Sequence, residues 1–264
     1  MQKGVGGVED MAEELGIYVF CCIQTNEEKS FGTIEFEGEE RSIFTIHYKD
    51  AAMVATEAPV KIYTPKKDHL MTHQNVISRV MESESSVVPI SFGNVFQTRE
   101  DTEVLLENLY PQLARLFPEV ENKIEIGLKV VGKKEWLEDE VNKNNKVMKQ
   151  KETVSSKSED AGYFDRIKLG EMAQDFFNNL KTEIEKDIHT PLVRLSESSK
   201  SNETVGEKML LNGAYLIDRG NEQAFDEKVN ELHERWKDRV EFKYTGPWPA
   251  YNFINIKLKV EETS

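Results

Sequence analysis

Two cysteines in 264 residues are too few for a disulfide framework. Cys21 and Cys22 are adjacent in an apolar run, so in a strand they point to opposite faces and form neither a cross-link nor a zinc site. They read as buried, reduced thiols. Long hydrophobic runs are missing as well: no stretch approaches the length that spans a bilayer, so no membrane span is expected. Positive charge is scarce, with 34 Lys and Arg against 48 Asp and Glu and a net charge of −14. Clustered cations are what release counterions from phosphates, so nucleic acid is excluded as a general partner. The first fifteen residues are Gly-rich and acidic, without the basic start and apolar core of a signal peptide; residues 1–15 read as a flexible tail and the location as cytoplasmic. Catalytic signatures are lacking too. There is no Walker loop, no dinucleotide fingerprint and no Gly-flanked nucleophilic serine, and neither cysteine has a basic neighbour.

What is present is a globular composition, 38% hydrophobic and 31% charged, long enough for two domains with cores of their own. Ile17–Ile23 is apolar throughout, the pattern of a central strand covered on both faces. Arg41–Tyr48 alternates and pairs as a hairpin with residues near Gly32–Phe36, and Val60–Tyr63 suggests a short edge strand. From Pro65 the period changes: Leu70, His73, Ile77 and Val80 give one apolar helix face ending near Ser83. Pro89 and Gly93 interrupt the apolar stretch Val87–Phe96, which reads as an edge segment turning over a core. A helix over 98–116 follows, with Leu105, Leu109, Leu113 and Leu116 inward and Pro111 straining it. Lys123–Val131 alternates as a last strand. This makes an α+β chain, with residues 16–132 a ferredoxin-like domain.

Residues 133–160 are rich in Lys, Glu, Asn and Ser and lack a continuous apolar stripe, so they read as a charged linker. Residues 161–264 form a second α+β domain, a long helix on a small antiparallel sheet. Phe164, Ile167, Phe176, Leu180, Ile184 and Ile188 supply the helix stripe, with Pro191 a kink or end. Met209–Ile217 reads as a strand and Ser196–Ser199 as a loop; Phe225, Val229, Leu232 and Trp236 step as an amphipathic helix, and Val240–Tyr244 returns to strand. Gly246-Pro247-Trp248-Pro249-Ala250-Tyr251 is a stiff corner, since two prolines fix φ and Gly246 admits conformations closed to other residues. It is expected to join Val240–Tyr244 to a final strand, Ile254–Val260.

His69 and His73 are four apart, as zinc-binding pairs are, but no Glu lies between them for a metalloprotease. His73 reads as a core histidine bonded to the sheet and His69 as exposed. The acidic runs near Glu37–Glu40 and Glu138–Glu140 read as solvated faces. No cofactor, metal or catalytic residue is assigned. The enzyme alternative, a hydrolase or small-molecule-binding domain using His73 with acidic neighbours, has no motif behind it.

Several blocks, in order and spacing, carry a resemblance over nearly the whole folded chain: Ile17–Phe20, His73 before Val76 and Val80, Val88–Phe96, Asn212–Ile217 and Gly246–Phe253. The chain resembles the gas vesicle protein F/L family. Ser91 and Ala250 stand where that family often has an Arg and a second Pro. The resemblance implies a two-domain α+β accessory protein of gas vesicle formation, not an enzyme. Its implied partners are the small hydrophobic shell protein and other accessory gas vesicle proteins, and its location the cytoplasm and the vesicle. A minor component lining the vesicle is the alternative. Phe92, Phe96, Trp248 and Tyr251 are the candidate partner contacts, while His73, Pro89, Gly93, Gly246, Pro247 and Pro249 are expected to shape the segments that carry them.

Overall fold

A computed structural model describes residues 14–158 and 161–256. Its chain divides into two compact units, one reaching to Glu121 and the other spanning Asn122–Phe253. The first contains β1 (Leu15–Gln24), β2 (Ser30–Phe36), β3 (Glu39–Tyr48), β4 (Ala51–Pro59), α1 (Lys67–Ser83), β5 (Val87–Pro89), β6 (Val95–Phe96) and α2 (Arg99–Val120). Its antiparallel sheet runs β2-β3-β4-β1-β5, and β6 also pairs with β1. Strand β1 is central and buried from Gly16 to Ile23, as its unbroken apolar run requires. Cys21 and Cys22 lie in it, their thiols pushed up by burial, Cys22 to about 12.

Two sequence expectations shift here. Strand β4 occupies Ala51–Pro59, ahead of the expected edge strand at 60–63. Helix α2 runs through Pro111 and Pro118, and its buried face is Thr102, Leu106, Leu109, Leu113, Phe117 and Val120: Leu109 and Leu113 are inward as expected, while Leu106 and Phe117 take the places of Leu105 and Leu116. Thr98 and Asp101 cap its start reciprocally, each side chain accepting from the other's backbone N–H.

The second unit contains β7 (Lys123–Gly132), α3 (Lys134–Lys143), α4 (Asn145–Ser155), α5 (Tyr163–Ile184), α6 (Thr190–Val193), β8 (Ser198–Ser201), β9 (Met209–Asp218), α7 (Glu222–Trp236) and β10 (Val240–Trp248). Its sheet order is β10-β7-β9-β8, antiparallel throughout. Counted within the unit, that is strand 4-1-3-2 in a βαββαβ succession. The α+β class holds for the chain, and the ferredoxin-like order belongs to this unit, not to residues 16–132. The reason is β7: it pairs with β9 and β10, so the boundary falls at residues 121/122, before the strand, and not after it.

Within the expected linker, Lys134–Lys143 and Asn145–Ser155 are helices; residues 159 and 160 lie outside the described residues. Helices α3 and α4 bury Leu137 and Val147, and Trp136 meets Trp236 of α7 edge-on, ring centroids 6.3 Å apart. A few well-placed apolar residues anchor helices that are otherwise charged. In α5 the expected stripe is covered only toward its end: Leu180 and Ile184 are buried, whereas Phe164 is 82% and Ile167 45% exposed. After α5 the helix widens into a π turn, Glu185–His189, before Pro191, which has no N–H to donate back along the helix.

Candidate functional site

The Val88–Phe96 segment is fastened to the first unit by a buried polar relay. Gly93 N–H donates to the Tyr18 hydroxyl oxygen at 3.0 Å, and that hydroxyl lies 3.0 Å from His73 Nδ1. With its oxygen accepting from Gly93, Tyr18 donates its proton to Nδ1. The other ring nitrogen, Nε2, then carries the hydrogen that faces the Ile90 carbonyl at 3.2 Å. Burial pushes the His73 imidazole down from 6.5 to about 4, and pushes the Tyr18 phenol up to about 12, so both stay neutral near pH 7. Gly93 adopts φ 91°, which a side chain would strain. Pro89 sits in edge strand β5 opposite Cys21, where a missing donor is tolerated.

His73 is therefore the core histidine expected. His69 is half-buried, not exposed: Nε2 is 3.2 Å from Glu37, Nδ1 is 3.3 Å from the Thr64 carbonyl, and the ring stacks on Phe92 with centroids 6.5 Å apart. The two histidines share Phe92 but have different polar partners, and among the described residues no group of three ligating side chains converges. Phe92 also packs edge-on against Tyr18 and His73. Phe96 pairs with Ile17 through β6; both phenylalanines are half-buried.

The second aromatic segment ends β10. Gly246 has φ 124°, and a Cβ there would lie 2.8 Å from the Glu125 carbonyl oxygen, so glycine alone fits. The Gly246–Pro247 bond is cis, and the β10–β7 register shifts between Thr245 and Trp248, which sits opposite Glu125. The corner is thus a bulged strand end. The expected next strand is not formed over Ile254–Ile256, and residues 257–260 lie outside the described residues.

Beyond Trp248 the chain crosses the sheet as a strap. Asn252 donates its backbone N–H to Glu125 Oε2 at 2.7 Å and its side-chain amide to Oε1 at 2.6 Å. It accepts from Lys200 Nζ at its carbonyl (2.9 Å) and from Asn202 at its side-chain oxygen (3.2 Å). Glu125 is 4% exposed. Burial raises its carboxyl above the usual range, and the two Asn252 donors oppose that rise. Sequence reading missed both residues: a lone Glu in an alternating strand looks solvated, and only the chain's return over β7 buries it. Pro249 is buried, Trp248 half-buried and Tyr251 38% exposed. Phe92 and Phe96 thus belong to the first unit, Trp248 and Tyr251 to the second.

These clusters define a two-unit α+β protein whose polar interior groups hold backbone in place. The family described as "Gas vesicle synthesis protein GvpL/GvpF" matches residues 16–255, and the chain belongs to it. Gas vesicle protein F1 of Halobacterium salinarum is 23% identical over 88% of this chain and 95% of its own length. Gas vesicle protein F of Microcystis aeruginosa is 23% identical over 74% of this chain and 80% of its own. The crystal structure of the gas vesicle protein GvpF from Anabaena sp. PCC7120 superposes with a TM-score of 0.76 at 20% identity, covering 92% of this chain and 99% of that one. The chain's role lies in gas vesicle formation, and the family implies a non-enzymatic one. No described helix is long and apolar enough to cross a membrane.

Proposed function

We propose that the chain is an accessory protein, without catalytic activity, that binds the small hydrophobic shell protein and other accessory gas vesicle proteins during assembly. It shields apolar surface or an open sheet edge until the subunit joins the vesicle. It acts in the cytoplasm and at the growing vesicle. The observation that carries this reading is the placement of four partly exposed aromatics on backbone already held by buried and half-buried bonds. Phe92 and Phe96 stand on the segment held by Tyr18 and His73, Trp248 at the end of β10 opposite Glu125, and Tyr251 on the strap that Glu125 holds. Rigid aromatics lose little side-chain freedom on binding and bring large apolar area with it.

Capture of purified shell protein by the wild type and by a Trp248→Ala variant of unchanged circular dichroism tests the reading. A loss of about tenfold or more in affinity is expected of a contact aromatic. Equal capture would remove Trp248 from the site.

A further inference from the structure

The outer edge of β10 and the flank of α7 enclose a groove of about 340 Å³ lined by Asp226, Val229, Asn230, His233, Phe242 and Tyr244. Strand β10 ends the sheet, and among the described residues nothing pairs with its outer side. The direction of its free bonds follows from register. Arg239 accepts from Lys133 N–H at 2.9 Å, and the pairing runs on as Val240 with Gly132 and Glu241 with Val131. Residues 239, 241, 243 and 245 therefore direct N–H and C=O toward β7, while Val240, Phe242 and Tyr244 direct theirs to the open edge.

The side chains of these same three residues share the face toward α7. Val240 is buried, the Phe242 ring is 5.4 Å from His233, and the Tyr244 hydroxyl donates to Asp226. Of the five carboxylates of α7, Glu231 and Glu234 are paired with Lys228, Arg235 and Lys237, while Asp226 lines the groove and Glu222 joins it in acting on Tyr244. The edge thus offers unpaired backbone, an apolar trough and a negative rim at one place. On the opposite face, exposed Glu241 and Lys243 discourage indiscriminate pairing.

We propose that the β10 edge takes an extended, alternately apolar and basic segment of a partner protein as a fifth strand of this sheet, its apolar side chains in the trough and a Lys or Arg at Asp226. A second copy of this chain fits less well, because edge-to-edge pairing of two β10 strands would oppose two acidic rims. That the partner is a gas vesicle protein rests on the assembly reading above; the edge itself does not.

The test uses the full chain and a synthetic capped peptide alternating valine and lysine. Saturating peptide is expected to slow amide exchange at Phe242 and Tyr244 at least tenfold, and a peptide N-methylated at alternate residues is expected to give no protection. Phe242→Pro removes an outward N–H without breaking a β7 bond and is expected to weaken binding at least tenfold; Phe242→Ala, which keeps the donor and lacks the ring, serves if the proline variant is misfolded. Unchanged exchange, equal protection by the N-methylated peptide, or a concentration-dependent dimer that protects the same amides without peptide would each overturn the proposal. Shell protein captured equally by wild type and Phe242→Pro would remove the edge as its docking place while leaving the assembly reading intact. Failure of the wild type to capture any shell protein would sink that reading, and peptide protection would still support the edge.

Discussion

In both units a tyrosine from an inner strand meets a buried histidine from a helix: Tyr18 with His73 at 3.0 Å, Tyr215 with His189 at 2.7 Å. The surroundings differ. His73 lies on a regular helix and bonds through both ring nitrogens, so the pair clamps an irregular loop at Ile90 and Gly93. His189 lies on a π turn, and Tyr215 stands between it and Phe225 of α7. In the first unit the helix is regular and the loop needs fixing; in the second the helix itself is irregular and is pinned to β9. One side-chain pair thus fastens whichever element departs from regular geometry.

The comparison breaks most visibly at His73. His73→Ala leaves the Tyr18 hydroxyl and the Ile90 carbonyl short of a partner beside a new cavity, and is expected to cost about 3–4 kcal/mol in urea unfolding. Acid acts on the same residue. Its folded pKa, about 4, lies below the unfolded 6.5, so the unfolded chain takes up the proton first as pH falls. The contribution is fully present above about pH 6.5 and fades toward pH 4, by about 3 kcal/mol. Urea midpoints at pH 7 and 4.5 should therefore differ more in the wild type than in His73→Gln. The burial-lowered His189 acts with the same sign. Next comes the tyrosine pair. Tyr18→Phe orphans an N–H and a ring nitrogen and should cost about 2–3 kcal/mol, while Tyr215→Phe, with one bond lost, should cost about 1 kcal/mol. Equal losses would show that the two pairs do the same work. The smallest effect is expected at Phe164, 82% exposed: Phe164→Ser should move stability by less than about 0.5 kcal/mol, and a larger loss would mean that α5 is covered along its length.

Strong periodicity made much of this fold legible. The α7 stripe Phe225, Val229, Leu232 and Trp236 is buried as spaced, and His73 sits on the inner face of α1. Strand β4 was hidden because Ala51, Ala52, Ala55 and Ala58 are weak strand formers, yet Cys22 and Ile46 flank Met53 in the sheet and bury the run. Strand β8, Ser198–Ser201, has no apolar alternation and exists by pairing with β9. Strand β7 is legible as a strand but its sheet is not, since alternation fixes a face and says nothing of neighbours. Of the candidate site, the aromatic segments were readable from Gly and Pro; the locks beneath them, Tyr18 with His73 and Glu125 with Asn252, join residues 55 and 127 apart and leave no local trace.

The central place of β7 has a consequence for synthesis. Its partner β9 begins roughly 80 residues later and β10 later still, so at about 5–20 residues per second the strand waits several seconds for a neighbour. The first unit, whose described elements end with α2, has all of them on hand by then. While the ribosome works through α3 to α6, the nascent chain carries one finished sheet and one unpaired apolar ribbon, Ile124, Ile126, Leu128 and Val130. Through that interval the ribbon has no partner strand of its own to cover it.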